Sequence, residues 1–159
     1  VYEQVLKRGK EKRKQLADAF KKAGRKKGAE KMLPALHEKV FNEIDCLQCA
    51  GCCKNISPRF KTPDLKRIAK FLGIKESTLI ETYLQLDEDG DYVVQKSPCP
   101  FLEKDNQCSI YEVRPSDCRK YPYTDSGDFF AYPTTTIQNI QFCPAVVKVL
   151  EAIEAEIRQ

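Results

Sequence analysis

A chain of 159 residues is the size of one ordinary domain and buries about two-thirds of the surface its unfolded form exposes, so folding need not depend on disulfides. The residues are 42% apolar and 31% charged, there is no Trp, and no apolar run nears the roughly 18 residues of a bilayer span, which excludes an expected membrane span. The formal charge of +4 is uneven, because residues 1–45 hold 13 Lys+Arg against 7 Asp+Glu while the rest holds 14 against 16.

The basic leading segment has two readings. It is either a set of Lys-rich solvated helices or an arm for an acidic partner, RNA or a membrane surface, and the first is the commoner case. Val1 to Arg8 carries charge where a secretion signal has its apolar stretch, so the cytoplasm is the expected location. Apolar residues recur at three and four through Val5, Leu6, Leu16, Ala17, Ala19 and Phe20, predicting a helix. A second helix is predicted through Met32, Leu33, Leu36, Val40, Phe41 and Ile44, with Gly24 to Gly28 between them. Pro34 falls near its start, where a missing N–H is tolerated.

That helix leads into Cys46-Leu47-Gln48-Cys49-Ala50-Gly51-Cys52-Cys53. Beyond it, Thr62-Pro63-Asp64 reads as a helix start, with a hydroxyl cap, Pro at the first position and an acid in the first turn. Leu65, Ile68, Ala69 and Leu72 form its apolar face, and Gly73 closes it. Ile74 to Leu86 predicts another helix, Asp87 to Gly90 a turn, and Tyr92-Val93-Val94 a short strand. From Ser97 to Pro144 there is little periodicity, only prolines, aromatics and four more cysteines. A last helix is predicted from about Ala145 to Arg158.

Cys46, Cys49 and Cys52 repeat at intervals of three, which lets a tight loop turn several thiolates towards one centre. Bacterial ferredoxins use such a run and take a further thiolate from a distant Cys followed by Pro, a form present at Cys99-Pro100 and Cys143-Pro144. Zinc sites more often pair two Cys-x2-Cys knuckles, whereas Cys99, Cys108, Cys118 and Cys143 stand singly. Spacing alone leans slightly towards an iron-sulfur cluster over zinc. Thiolates in any case select zinc, iron-sulfur or copper(I) over magnesium or calcium.

Adjacent Cys52 and Cys53 diverge on an extended backbone and seldom reach one ion together. Eight thiolates exceed the four a tetrahedral zinc accepts, which leaves two four-ligand sites, one cluster with spare thiols, or a bridged binuclear site. Four disulfides are the competing reading, and the ligand-like clustering stands against it. A separate reading is that one or two of the eight pack simply as small buried apolar groups. His37, the single histidine, is expected to be a surface or packing residue, so there is no obvious Cys-His pair for thiol catalysis.

These motifs resemble the YkgJ-type cysteine-cluster proteins, zinc- or iron-chelating domains. The residues that carry the resemblance are Cys46 to Cys53, Cys99-Pro-Phe-Leu, the run from Cys108-Ser-Ile-Tyr111 through Arg114-Pro115-Ser-Asp-Cys118-Arg119-Lys-Tyr121-Pro122, and Cys143-Pro144. The resemblance covers about Cys46 to Pro144 and implies chelation by Cys46, Cys49, Cys52, Cys53, Cys99, Cys108, Cys118 and Cys143. A related region in flagellin lysine methylases suggests an iron-sulfur cluster or a protein-modifying system in which this chain is an accessory; methylase activity is not carried across. Arg114 and Arg119 flank Cys118 and have two readings, donors to sulfur or a nearby carboxylate, or ion pairs with Glu112, Asp117 or Asp64. Phe101, Tyr111 and Tyr121 are expected to shield the site from water.

The expected fold is mainly α with irregular Cys-rich loops and at most a short β element: a small metal-centred domain over 46–159 with a basic helical extension over 1–45. The expected function is metal chelation in a structural or redox role, with no catalytic constellation beyond the metal site and no identified protein partner. A helix-turn-helix-like segment at 62–86 offers the alternative of a metal-sensing DNA-binding regulator. Its second helix has Glu76 and Glu81 against Lys75 alone, so nucleic acid is not the expected partner.

Overall fold

The structure is a computed structural model and describes residues 2–159. It is mainly α, with a single two-stranded sheet among the described residues. The chain forms two compact units: a first running to Cys49 and resuming from Pro122 to Gln159, and a second of Ala50–Tyr121. This division by packing differs from the 45/46 division by sequence.

The first unit is built on α11 (Pro144–Ile157), which packs against α1 (Glu3–Glu11), α2 (Arg13–Gly24) and α3 (Leu33–Phe41). Its Val146, Val147, Val149, Leu150 and Ile153 are wholly buried, and each such side chain contributes about 1.5–3 kcal/mol of transfer free energy. Leu16, Ala19, Phe20 and Ala23 are the buried stripe of α2, at the i, i+3, i+4, i+7 spacing of one helix face. Phe20 meets Phe129 edge-on at 5.4 Å and stacks on Phe130 at 5.3 Å. Both phenylalanines belong to α9 (Asp128–Ala131), which α10 (Pro133–Asn139) follows.

The single leading helix predicted by periodicity is in fact two, divided at Lys12. Pro34 lies in the first turn of α3 as expected. The C-terminal helix also falls where it is predicted.

In the second unit, α6 (Thr62–Leu72) and α7 (Glu76–Tyr83) form a helical hairpin turned at Gly73, whose φ of 68° suits a residue without Cβ. Leu65, Ile68, Ala69 and Leu79 join Phe60, Leu84, Val94, Phe101 and Ile110 in one core. The start of α6 differs from expectation in its cap. The buried Asp64 carboxylate, not the Thr62 hydroxyl, accepts the Lys61 N–H at 2.9 Å.

The helix predicted from Ile74 to Leu86 stops at Tyr83. Leu84–Leu86 is instead strand β1, paired antiparallel with β2 (Tyr92–Val94) in the register Leu84↔Val94. The turn between them is held by Asp87, whose side chain accepts the N–H groups of Asp89 and Asp91, both at 2.9 Å. Cross-strand pairing thus overrides the weak helical pattern of those three residues. Among the described residues, no helix is long and apolar enough to cross a membrane.

Candidate metal centre

The first cysteine run is not one loop. Cys46 and Cys49 lie on α4 (Cys46–Cys49), a single turn capped by Asp45, whose carboxylate accepts the Leu47 N–H at 2.9 Å. Cys52 and Cys53 lie on α5 (Gly51–Asn55). Between them Ala50 has φ of +49°, a left-handed conformation that costs a residue with a Cβ about 1–2 kcal/mol. The kink ends one helical turn and begins the next, so Cys46 and Cys49 belong to the first unit and Cys52 and Cys53 to the second.

The second unit holds five cysteines, Cys52 and Cys53 together with Cys99, Cys108 and Cys118 from farther along the sequence. The Cys99 N–H donates to the Cys53 carbonyl at 2.8 Å. Cys99 and Cys108 then stand on the two arms of a small hairpin that sequence reads only as loop. Leu102 bridges Cys108 antiparallel, Ser109 N–H donates to Phe101 O at 2.8 Å, and Glu103 N–H donates to Gln107 O at 2.8 Å. Asn106 turns it with φ of +66°. Phe101 anchors the hairpin in the core, 4.7 Å from the Tyr83 ring.

Cys118 is carried by α8 (Ser116–Lys120), which is tied down at its head. Asp64, 2% exposed, accepts the Ser116 N–H at 3.1 Å and pairs with Arg67 at 2.9 Å; Arg67 also donates to the Arg114 carbonyl at 2.9 Å. Arg59 binds Asp117 through its side chain at 2.9 Å and its backbone N–H at 3.2 Å. Burial raises the Asp117 carboxyl, but these bonds from Arg59 outweigh it and hold the group below its ordinary value. Asp64, expected as a possible partner of Arg114 or Arg119, pairs with Arg67; Arg59 and Arg67 were not legible as site residues, since nothing in their local sequence marks them as partners of the Cys118 segment.

The electrostatics of the four thiols are coupled. Burial is the main cause that pushes Cys99 up to about 11, and the charges of Cys53 and Cys108 add to it. Burial likewise raises Cys108 and Cys118, with Cys53 acting on both and Cys99 and Cys108 on Cys118. Cys53 runs the other way, down to about 7, chiefly because the Cys52 thiol hydrogen-bonds to it. Cys99 and Cys108 also face backbone N–H groups that favour their anions, from Phe101 and Leu102 at Cys99 and from Ile110 at Cys108.

That donor set fits a thiophilic ion. Buried thiols that face amides and one another's charge need a cation to become thiolates together. Among the described residues no three Cys, His, Asp or Glu side chains are already assembled as a finished ion-holding cluster. None of the eight cysteines is joined in a disulfide.

The sequence pattern described as "CxxCxxCC: Putative zinc- or iron-chelating domain" matches residues 45–144. The chain belongs to the CxxCxxCC family. Metal binding is the family's described property, and its matched segment takes in all eight cysteines. The chain is also 33% identical over 82 residues to Uncharacterized protein MJ0661 of Methanocaldococcus jannaschii, a match that spans 50% of this chain and 44% of that relative. No solved structure matches the chain.

The arginines expected beside the site contact backbone carbonyls. Arg114 donates to the Tyr111 carbonyl at 2.8 Å and lies over the Tyr111 ring at 4.0 Å, while Arg119 donates to the Glu112 carbonyl at 2.9 Å. Both guanidiniums brace backbone, and Arg114 also favours the Cys108 anion through its charge. Tyr111 is 42% exposed, too open to keep water from a metal. His37 meets its expectation: Nδ1 hydrogen-bonds the buried Thr124 hydroxyl at 2.8 Å and the ring packs 4.4 Å from Phe41.

Proposed function

We propose that the protein holds a zinc or iron ion through Cys53, Cys99, Cys108 and Cys118, in a structural role. The observation that carries this reading is the Cys99 N–H bond to the Cys53 carbonyl, with the charge of Cys53, on α5, acting on Cys99 and Cys108 of the hairpin arms and on Cys118 of α8. Four thiolates fill a tetrahedral ion and leave no open position for a substrate. The segment that bears three of them has little regular structure besides its hairpin, a 3-10 turn at Tyr111–Val113 and one short helix, so an ion there would replace missing core as the source of order.

An iron-sulfur cluster is the second reading, supported by the ferredoxin-like pairing of a Cys-x2-Cys turn with a Cys-Pro. It would add electron transfer or sensing. Free thiols are the state expected in a reducing compartment, which supports a cytoplasmic location.

The test is metal and acid-labile sulfide analysis, with an absorption spectrum, on the chain purified without oxygen or added metal. Colourless protein carrying zinc without sulfide supports the structural reading. Iron with sulfide and absorbance near roughly 400 nm supports the cluster. Protein without metal that also fails to take up zinc or iron sinks both.

A further inference from the structure

We propose that the first unit binds duplex DNA through its phosphate backbone, without reading base sequence, on the basic face of α1, α2 and the turn that follows α2. The proposal is independent of the metal and goes beyond the function proposed above.

Positive charge is concentrated there. Residues 7–31 hold 12 Lys+Arg against 3 Asp+Glu, whereas the rest of the chain holds 15 against 20. Arg8 is paired with Glu151. The other eleven cations are exposed, and among the described residues none of them is in an ion pair. Because α2 turns Leu16, Ala19, Phe20 and Ala23 inward, its cations are held on the opposite side of a regular helix. Lys14, Asp18 and Lys22 follow at four-residue steps of about 6 Å along α2, and with Lys12 and Lys26 they line one open groove beside the end of α11. Glu154 in that groove is engaged by Gln15 and Arg158, which leaves Glu11 and Asp18 to oppose the four lysines.

The partner follows from what the face lacks. Among the described residues the exposed large apolar side chains are Phe71, Leu86, Tyr111 and Tyr132, none of them within residues 7–31. A protein interface is anchored by aromatic and apolar groups. A helix lying on a membrane turns its apolar face outward, but here the apolar faces of α1 and α2 pack on α11. Single strands are held by bases stacked on aromatic rings, which are equally missing. A duplex keeps its bases stacked inside and presents one negative charge per about 1.7 Å of axis, so cations alone suffice to hold it. The surface is distinct from the α6–α7 hairpin, where Glu76 and Glu81 oppose phosphate.

The test is fluorescence anisotropy of a labelled DNA duplex of about 20 base pairs and mixed sequence, titrated with the full chain as purified. About four phosphate contacts predict roughly a hundredfold loss of affinity between about 50 and about 200 mM KCl. Lys14→Gln/Lys22→Gln/Lys26→Gln should weaken binding more than about tenfold and flatten that salt dependence. Lys66→Gln/Lys70→Gln/Lys75→Gln, the same charge change at exposed positions of the α6–α7 hairpin, should weaken it less than about threefold. Asp18→Asn should bind several-fold tighter, a gain that misfolding cannot produce. No binding by the unaltered chain at the lower salt, equal losses from the two triple variants, or affinity that ignores salt overturns the proposal. So does tighter binding to a single strand of the same sequence, to vesicles containing phosphatidylserine, or to poly-glutamate.

Discussion

The N–H of Cys99 donates to the carbonyl of Cys53 at 2.8 Å, so two candidate ligands far apart in sequence are joined by backbone before any metal arrives. The bond places the hairpin arm of Cys99 beside α5. It also makes the Cys53 carbonyl part of the site, which a list of thiols would omit.

Asp64 should matter to metal binding without touching metal. Its carboxylate satisfies the Lys61 and Ser116 N–H groups and the Arg67 guanidinium while 2% exposed. Asp64→Ala strands these donors and frees the head of α8. We expect a loss of about 3 kcal/mol in urea unfolding of the metal-free chain, and weaker metal retention against a chelator. Unchanged retention would show that α8 is positioned by other contacts.

The Cys52 thiol should activate Cys53 in metal-free protein. With Cys53 at about 7, close to half of it is thiolate at neutral pH, and the thiolate is the nucleophile. Cys52→Ala removes the hydrogen bond, returning Cys53 towards an ordinary thiol and slowing its alkylation at pH 7 by more than about tenfold. Peptide mapping after brief iodoacetamide treatment reads the rate; equal rates in both proteins would rule the contact out as the cause.

Stability of the metal-free chain should depend on alkaline pH with a definite sign. Burial raises Cys99 to about 11 and raises Cys108, Cys118 and Cys143, so the folded state keeps protons that the unfolded chain releases near its ordinary value of about 8.5. This contribution is fully present below that value and is lost as pH climbs towards 11. Cys53 acts oppositely, its share being lost as pH falls through about 7. Thermal melts of stripped protein should therefore fall between pH 8.5 and 10.5 more steeply than those of metal-loaded protein, whose ligands have already given up their protons. Parallel declines would contradict the assignment.

Gly9→Ala should destabilise α1 despite the helix propensity of alanine, worth about 1 kcal/mol over glycine. A Cβ at Gly9 would stand 2.5 Å from one Val147 methyl carbon and 3.3 Å from the Ile140 Cγ2, closer than packing permits. Overpacking of this kind costs about 1–3 kcal/mol, so the melting temperature should drop. A rise would mean that α1 and α11 separate easily.

Much of the fold was legible because it follows from short-range pattern. The α6 face of Leu65, Ile68 and Ala69, the Gly73 stop and the α11 stripe are set within a few residues. The misreadings have long-range causes. Leu84–Leu86 became strand because Tyr92–Val94 pairs with it, and α1 and α2 divide at Lys12, where no breaker stands in the sequence. The hairpin of Cys99 and Cys108 carries a signal that could have found it, a Lys-Asp-Asn turn flanked by Leu102 and Cys108.

By itself the sequence determined the chemistry on offer: eight cysteines, clustered and paired with prolines in the family's spacing, favour soft metal ions over magnesium or calcium whatever the fold. Only the tertiary structure decided which cysteine-bearing segments adjoin. The kink at Ala50 separates neighbours along the chain, and the bonds from Cys53 to Cys99 and from Asp64 to Ser116 unite residues that are not neighbours. Softness and helix periodicity are local properties of residues, whereas a coordination set depends on which distant segments the backbone and its buried charges hold side by side.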